Sequence, residues 1–438
     1  MIDYRDVTHP RNLRRHSPPK ISEGDNRTPA QRDRDRILYT SAFRRLVEVT
    51  QVASPDPAHV FHNRLTHSLQ VAQVGRSLAE KIRQRQPHLA DEVGGIDPDV
   101  VEAACLAHDL GHPPFGHTAE EELNKLAGKV VGGFEGNAQS FRIVTKLAFK
   151  SESYGGVDLT RATLAAILKY PWHRDQNKQK PKKWGAYKSE AKDFKFAREL
   201  APREKFRRTP EAELMDWADD VTYSVHDMED FYRAGRIPMH LLARLSNNLE
   251  RKHFFDDVYR RHSGDKDFFK RADLEEAFAD LLAMYWQLDE PYSGTKEQRS
   301  KLRHFTAQLI HRYINGVELS TASKSIEINQ EYAKEVAILK ELTWTYVIEA
   351  PALAMQREGQ KTIIQRLFQV FSEAAQSQKK WSLFPPYYRE QLDSCSSSNE
   401  RRRIVVDLIA GMTEPQAIAT YWQLTGSRPT STLEEIVR

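Results

Sequence analysis

Apolar positions recur at steps of three and four along most of the chain, the spacing that turns one face of an α-helix toward a core. From Asn63, "NRLTHSLQVAQVGRSLAEKI" places Leu65, Leu69, Ala72, Leu78, Ala79 and Ile82 on one such stripe. The next, "DVVEAACLAHDLGH", turns Val101, Ala104, Cys105 and Leu106 inward until Gly111 stops it. Thr118 followed three residues later by Glu121 has the form of a capping box and predicts a helix opening at "TAEEELNKLAG". Further helices are predicted over 137–149, 159–169 and 210–233, the last with Pro210 in its first turn and Gly235 near its end. The later half reads the same way over 237–251, 272–288, 296–315, 324–341 and 360–377. Strand alternation is weak; its best instance, "TWTYVI" at 343–348, suits a helix equally well. The predicted fold class is all-α, a helical bundle with additional C-terminal helices.

Composition narrows this picture. A chain of 438 residues is long enough to enclose a pocket. Its 65 basic and 61 acidic residues leave a net charge of only +4, so an anionic ligand must be met by a local cluster rather than by a basic surface. Cys105 and Cys395 stand outside any CxxC spacing, which argues against a disulfide framework or a cysteine-based zinc site. Residues 1–30 are polar and rich in Arg and Pro, without the apolar core of a signal peptide. No apolar run reaches the ~18 residues of a membrane span. The expectation is a soluble cytoplasmic protein without membrane contact. Two segments stand apart: residues 1–30, read as free to move, and 173–196, with eight basic residues against three acidic ones. The second is ordinarily a solvated loop, but Trp172, Trp184 and Tyr187 among its cations also suit stacking on single-stranded nucleic acid.

The chemistry concentrates in "HDLGHPPFGHTAE" at 108–120, with three histidines and two acids in thirteen residues. Any one of these histidines is explained by ordinary hydrogen bonding; the group is not. His67 lies on the helix from Asn63, His108 and Asp109 are adjacent at a helix end, and Asp219 lies on the helix after Pro210. Two imidazoles and two carboxylates on separate helices suit one divalent ion.

Those residues sit in longer motifs: "NRLTH" at 63–67, "FEGNAQSFRI" at 134–143, "LKYPW" at 168–172 and "ADDVTYSVHDMED" at 218–230. Together with "QRDRDRILYTSAFRRLVEVTQV" at 31–52 and "IAGMTEPQAIATYWQL" at 409–424, the chain resembles the deoxyguanosine triphosphate triphosphohydrolase family of the HD-domain phosphohydrolases. The resemblance implies an HD-domain catalytic core over 31–235, with 236–438 as a helical region packed upon it. It implies His67, His108, Asp109 and Asp219 as ligands of one divalent ion. Mn²⁺ or Mg²⁺ comes first, and a mixed nitrogen and oxygen set also accepts Fe²⁺ or Co²⁺. Asp219 is chosen over Asp220 because the family's acid, Tyr, acid pattern at steps of four fits Asp219, Tyr223 and Asp227, which then line one helix face over about 12 Å. The competing reading puts Asp227 on an acidic surface stripe with Glu229 and Asp230.

By the same resemblance His117 and Glu120 form the catalytic pair, the carboxylate favouring the protonated imidazole and fixing its tautomer, with His112 nearer the phosphates. Arg64 contacts the α-phosphate, and Lys169 and Tyr170 reach the rest of the triphosphate. Gln51 and Asp227 bind the sugar 3′-hydroxyl, and Tyr223 packs under the deoxyribose. The implied activity is hydrolysis of a deoxynucleoside triphosphate, dGTP first among them, to deoxynucleoside and inorganic tripolyphosphate. The absence of a GxxxxGK[ST] phosphate loop agrees with attack at the α-phosphorus. Also implied are a homo-oligomer, a hexamer by preference, and as further ligands an allosteric nucleotide or single-stranded DNA. The alternatives are an HD-type nucleotide phosphatase or phosphodiesterase, and a regulatory protein binding single-stranded nucleic acid.

Overall fold

In the computed structural model, residues 2–18, 24–52, 62–200, 204, 206–244, 249–288 and 290–426 are described. The stripe from Asn63 forms a helix over Arg64–Arg85, opened by a capping box. Asn63 Oδ1 accepts the Thr66 N–H at 2.9 Å and Thr66 Oγ1 accepts the Asn63 N–H at 3.1 Å. Its buried face runs through His67, Val71, Val74, Gly75 and Leu78. Leu69 does not share it and is 46% exposed. It lies two residues, about 200°, round the helix from His67, and the polar His67 takes the inward position.

The second stripe forms Pro98–Ala107, with Val101, Ala104, Cys105 and Leu106 all buried, and it ends before Gly111. His108 and Asp109 therefore sit on the turn leaving the helix. This helix packs closely on the first because Gly75 lacks a side chain: a Cβ there would lie 2.5 Å from Cys105 Sγ. The third partner is Pro210–Arg233, capped by Thr209, which packs against both. Helices Pro29–Leu38 and Arg161–Ile167 complete this first core. Arg11, in the N-terminal segment, is buried and paired with Glu211 of the third helix at 2.5 Å.

Helix Gly116–Val131 begins two residues before Thr118, so Thr118 is not its cap. Phe115, in the left-handed region at φ 67°, occupies that position, and its N–H is held by the Glu414 carboxylate at 3.1 Å. The helix buries Ala119 and Leu123 in a second core with Leu367, Phe371, Val405 and Ile409, drawn from helices Pro351–Ala375 and Ser398–Ala410. Elsewhere the later half departs from its expected boundaries. The helix expected over 237–251 is two, Met239–Leu242 and Leu249–Arg261, with 245–248 outside the described residues. The helix expected from 324 starts at Gln330, after a short antiparallel hairpin of Val317–Leu319 with Ile326–Ile328. "TWTYVI" is not a strand; Trp344–Ile348 prolong the preceding helix as a π-helical turn.

Helix Gly136–Arg142 joins the two cores. Buried Asp407 accepts from Arg142 Nε at 3.0 Å, Arg142 Nη2 at 2.7 Å and Gln139 Nε2 at 2.9 Å. Arg142 Nη1 also reaches Glu190 at 2.7 Å. Removing one partner of a buried ion pair strands the other charge, at about 3 to 5 kcal/mol. Asp407→Ala is therefore expected to lower the stability measured by chemical denaturation by that amount, with Asp407→Asn intermediate. A loss below about 0.5 kcal/mol, the range of neutral surface changes, would show that this network does not hold the two cores together.

Candidate active site

The helix end at His108 is fixed by its neighbours. Ser140 Oγ donates to the His108 carbonyl at 2.7 Å and accepts the Gly111 N–H at 2.8 Å. A Cβ on Gly111 would come within 2.1 Å of the Gly136 carbonyl, so only glycine permits this approach. Buried Arg45 donates to the Leu110 and His112 carbonyls at 2.9 and 2.7 Å. The turn is thus pinned from both sides.

His67, His108 and Asp109 are buried, and one ligand atom from each lies within 4.8 Å of the others. His67 Nε2 is 3.1 Å from Asp219 Oδ1. His108 Nδ1 faces the Cys105 carbonyl at 2.6 Å. A carbonyl only accepts, so Nδ1 carries the proton and the lone pair of neutral His108 is on Nε2, which is buried without a hydrogen-bond partner. That nitrogen lies 3.4 Å from Asp109 Oδ1 and 3.5 Å from Asp219 Oδ1. Against the burial that disfavours its charge, these two carboxylates push His108 up to about 9. Despite their own burial, Asp219 is held well below the usual carboxylate range by Lys169 and His108, and Asp109 by His108, His112 and Arg64. The cluster concentrates negative charge around an orphaned nitrogen and fits a divalent cation. Of the doublet, Asp219 joins this cluster, while Asp220 pairs with Lys340 at 2.6 Å.

The cations expected at the phosphates rest on the same carboxylates. Arg64 Nη1 is 2.7 Å from Asp109 Oδ2, and Lys169 Nζ is 3.0 Å from Asp219 Oδ2 and 2.7 Å from Asp216. His112 Nδ1 lies 2.9 Å from Asp109 Oδ1, and burial followed by Arg64 pushes it down to about 4. His117 Nδ1 meets Glu120 Oε2 at 2.8 Å, and its side chain is 71% exposed. Farther along the third helix, Tyr223 is half-buried and Asp227 buried. Asp230 is buried too, so the acidic surface stripe does not exist. Burial, then Asp230, raises Asp227 well above its usual range, and its Oδ2 has no partner. Gln51 Oε1 is likewise buried and unpaired.

Gln51, Arg64, His108, Asp109, His112, His117, Lys169, Tyr170, Asp219 and Tyr223 all line one cavity of about 780 Å³. His67 and Glu120 lie behind this wall, each in contact with a lining residue. Part of the lining was not anticipated: Lys340, Trp344, Arg357 and Lys361 come from more than a hundred residues downstream. Lys183 also lines the cavity. Trp172, Trp184 and Tyr187, the rings expected to stack on nucleic acid, are buried together with Ala138 and offer no free faces. No helix among the described residues is long and apolar enough to cross a membrane.

The HD domain family matches residues 64–224, and the phosphohydrolase-associated domain family matches 326–423. A deoxyguanosinetriphosphate triphosphohydrolase-like protein of Streptomyces coelicolor is 38% identical, over 93% of this chain and 95% of its own length. Proteins of the same name from Corynebacterium efficiens and a Shewanella species are 34% and 30% identical, over at least 90% of each chain. With two imidazoles and two carboxylates gathered inside the HD-matched segment, and relatives that align along nearly the whole length, the chain belongs to the deoxyguanosinetriphosphate triphosphohydrolase-like family of HD-domain phosphohydrolases.

Proposed function

We propose that the protein is a metal-dependent triphosphohydrolase that converts a deoxynucleoside triphosphate to deoxynucleoside and inorganic tripolyphosphate. The observation that carries this reading is one cavity lined at once by the carboxylate and histidine cluster, by an exposed histidine backed by a carboxylate, and by several cations. A monoester or cyclic nucleotide has less use for so many cations. The relatives' name makes dGTP the first substrate to try.

His67, His108, Asp109 and Asp219 would hold the ion, Mn²⁺ or Mg²⁺ first. Once bound, it supplies positive charge at the α-phosphoryl group and acidifies water. Arg64 offers charge-assisted hydrogen bonds to the α-phosphate, with Lys169 and Tyr170 toward the rest of the chain. A water oxygen bonds to the α-phosphorus, the bond from phosphorus to the 5′-oxygen breaks, and His117 donates the proton that this oxygen needs. Glu120 orients His117 through Nδ1, leaving Nε2 to face the leaving group. His112, held beside Asp109 Oδ1 at 2.9 Å, sits nearer the phosphates. The unpaired Gln51 Oε1 and Asp227 Oδ2 are suited to a sugar hydroxyl, since a buried acceptor without a donor is costly.

Incubation with each of the four dNTPs and Mn²⁺ or Mg²⁺, followed by chromatography, should release tripolyphosphate. Pyrophosphate or single phosphates in its place would end this reading. Asp219→Ala should lose its metal and cut turnover by more than the roughly 10- to 100-fold that loss of an outer partner costs. Asp220→Ala, which breaks only the Lys340 pair, should keep both; elemental analysis and initial rates decide, and the reverse result would move the ligand to Asp220. Tyr223→Ala should narrow the gap between dGTP and GTP. A ribose 2′-hydroxyl meeting that ring without a partner costs about 1 to 3 kcal/mol, roughly 5- to 150-fold in the ratio of kcat/KM values. An unchanged ratio would leave Tyr223 as packing alone.

A further inference from the structure

The elbow between helices Ser398–Ala410 and Glu414–Thr425 grips the histidine-rich turn at two places. At the first, Arg45, which holds the Leu110 and His112 carbonyls, also donates to the Met412 carbonyl at 2.9 Å. At the second, half-buried Glu414 reaches two segments with one carboxylate. Its Oε1 accepts the Phe115 N–H at 3.1 Å and the Thr50 N–H at 2.8 Å, and its Oε2 accepts the Thr50 hydroxyl at 2.8 Å. Glu414 is itself fixed at the first position of its helix, which Thr413 and Gln416 open with a capping box. Thr50 is fixed by an antiparallel bridge to Asn63, the residue that caps the helix of Arg64 and His67.

Glu414 holds the chain at a strained place. Phe115 and Gly116 both have positive φ, 67° and 55°, and a bulky residue keeps that conformation only where its surroundings impose it. The Phe115 ring is buried in the second core, and its peptide N–H has Glu414 as acceptor. The space beside Gly116 is taken by Arg64, whose Nη2 lies 3.2 Å from where a Cβ would stand. His117 follows at once, with a side chain 71% exposed, so packing does little to place it. Glu120 fixes its tautomer through Nδ1, while the position of the ring depends on where the helix begins.

We propose that Glu414 is a positioning residue of the proposed reaction: by bracing the Phe115 peptide against Thr50, it fixes the start of helix Gly116–Val131 and so the place of His117 at the leaving oxygen. The inference rests on the reading of His117 as the proton donor. A residue of the phosphohydrolase-associated segment then acts on proton transfer through the backbone alone.

A substrate whose leaving atom needs no proton isolates this role. In the 5′-thio analogue of dGTP, the bond from phosphorus to sulfur breaks and sulfur departs as a thiolate, which is accessible near neutral pH. With Mn²⁺, Glu414→Ala should lower kcat for dGTP roughly 10- to 100-fold, the cost of a small misplacement. For the thio analogue the loss relative to wild type should stay under about threefold, since no acid is needed there. Both rates are read on one preparation, so their ratio does not depend on how much of it is folded. Glu414→Ser, whose hydroxyl is too short to reach either N–H, replaces the Ala variant should that fail to fold. Glu414→Gln keeps an oxygen for both N–H groups and an amide donor for the Thr50 hydroxyl, so it should stay within about threefold of wild type. Equal losses with the two leaving groups would mean that Glu414 serves the fold or substrate binding. A Gln variant as slow as Ala would mean that charge rather than geometry matters, and either result overturns the inference. His117→Ala separates it from the underlying reading: it should be slow with dGTP and near normal with the thio analogue, and adding Glu414→Ala should cost little more. If His117→Ala slows both substrates alike, or neither, the acid assignment falls and this inference with it. If His117→Ala distinguishes them and Glu414→Ala does not, only the inference falls.

Discussion

Asp109 is buried and Asp219 partly so, both facing the His108 imidazole, and charges so placed need a positive counter-charge within reach. Each has a cation of its own, Arg64 on one and Lys169 on the other. The same two side chains line the cavity. A divalent ion arriving in the cluster would take over their role at the carboxylates and free both cations for a polyanion. Under the proposed reading, metal and triphosphate sites are parts of one charge balance. This is why the cluster's chemistry cannot be separated from the cations around it.

That balance requires three helices at close quarters. The small side chains at Gly75, Cys105 and Ala218 meet where the helices cross; a Cβ on Gly75 would lie 3.5 Å from Ala218 Cβ. His67 stands two turns from that crossing, Asp219 beside Ala218, and His108 one turn beyond Cys105. Packing by small residues thus delivers ligands from three distant parts of the chain to one point. Cys105 itself is buried and its thiol is raised well above its ordinary range, so its contribution is shape rather than reactivity.

Much of this was legible in the sequence because helices announce themselves locally. The stripe from Asn63 placed the start of the helix at 64–85 within one residue, and Pro210 and Gly235 placed the helix at 210–233 to the residue. What failed had its cause elsewhere in the chain. The start of the helix at Gly116 depends on Glu414, some three hundred residues away, holding the Phe115 N–H. The hairpin at 317–328 has strands of three residues, each a single apolar pair flanking one exposed glutamate, Val317 and Leu319 around Glu318 and Ile326 and Ile328 around Glu327, too short a repeat to stand out as alternation. Among the candidate residues, His117 and Glu120 were recognisable as a pair three apart on a helix. Lys183, which lines the cavity and pairs with Glu120 and Glu135, was not, because these carboxylates are sixty-three and forty-eight residues away and its own neighbours are lysines.

The part of the cavity lining supplied by residues 340–361 was the least legible, and it bears on selectivity. The histidine and carboxylate cluster lies inside the HD-matched segment, whereas Lys340, Trp344, Arg357 and Lys361 lie inside the phosphohydrolase-associated segment. Under the proposed reading, a carboxylate and histidine cluster alone distinguishes little between one phosphate ester and another, since it would meet phosphoryl oxygens only. Discrimination has to come from surfaces that meet the parts of the substrate that do not react. Trp344 offers an apolar face and the neighbouring cations offer charge; Lys340 and Trp344 reach the cavity through the helix from Gln330 and the turn that prolongs it, which packs directly on the helix of Asp219, and Arg357 and Lys361 through helix Pro351–Ala375. Under the proposed reading, the two segments divide the work: the first fixes where phosphorus is attacked, and the second decides what is attached to it.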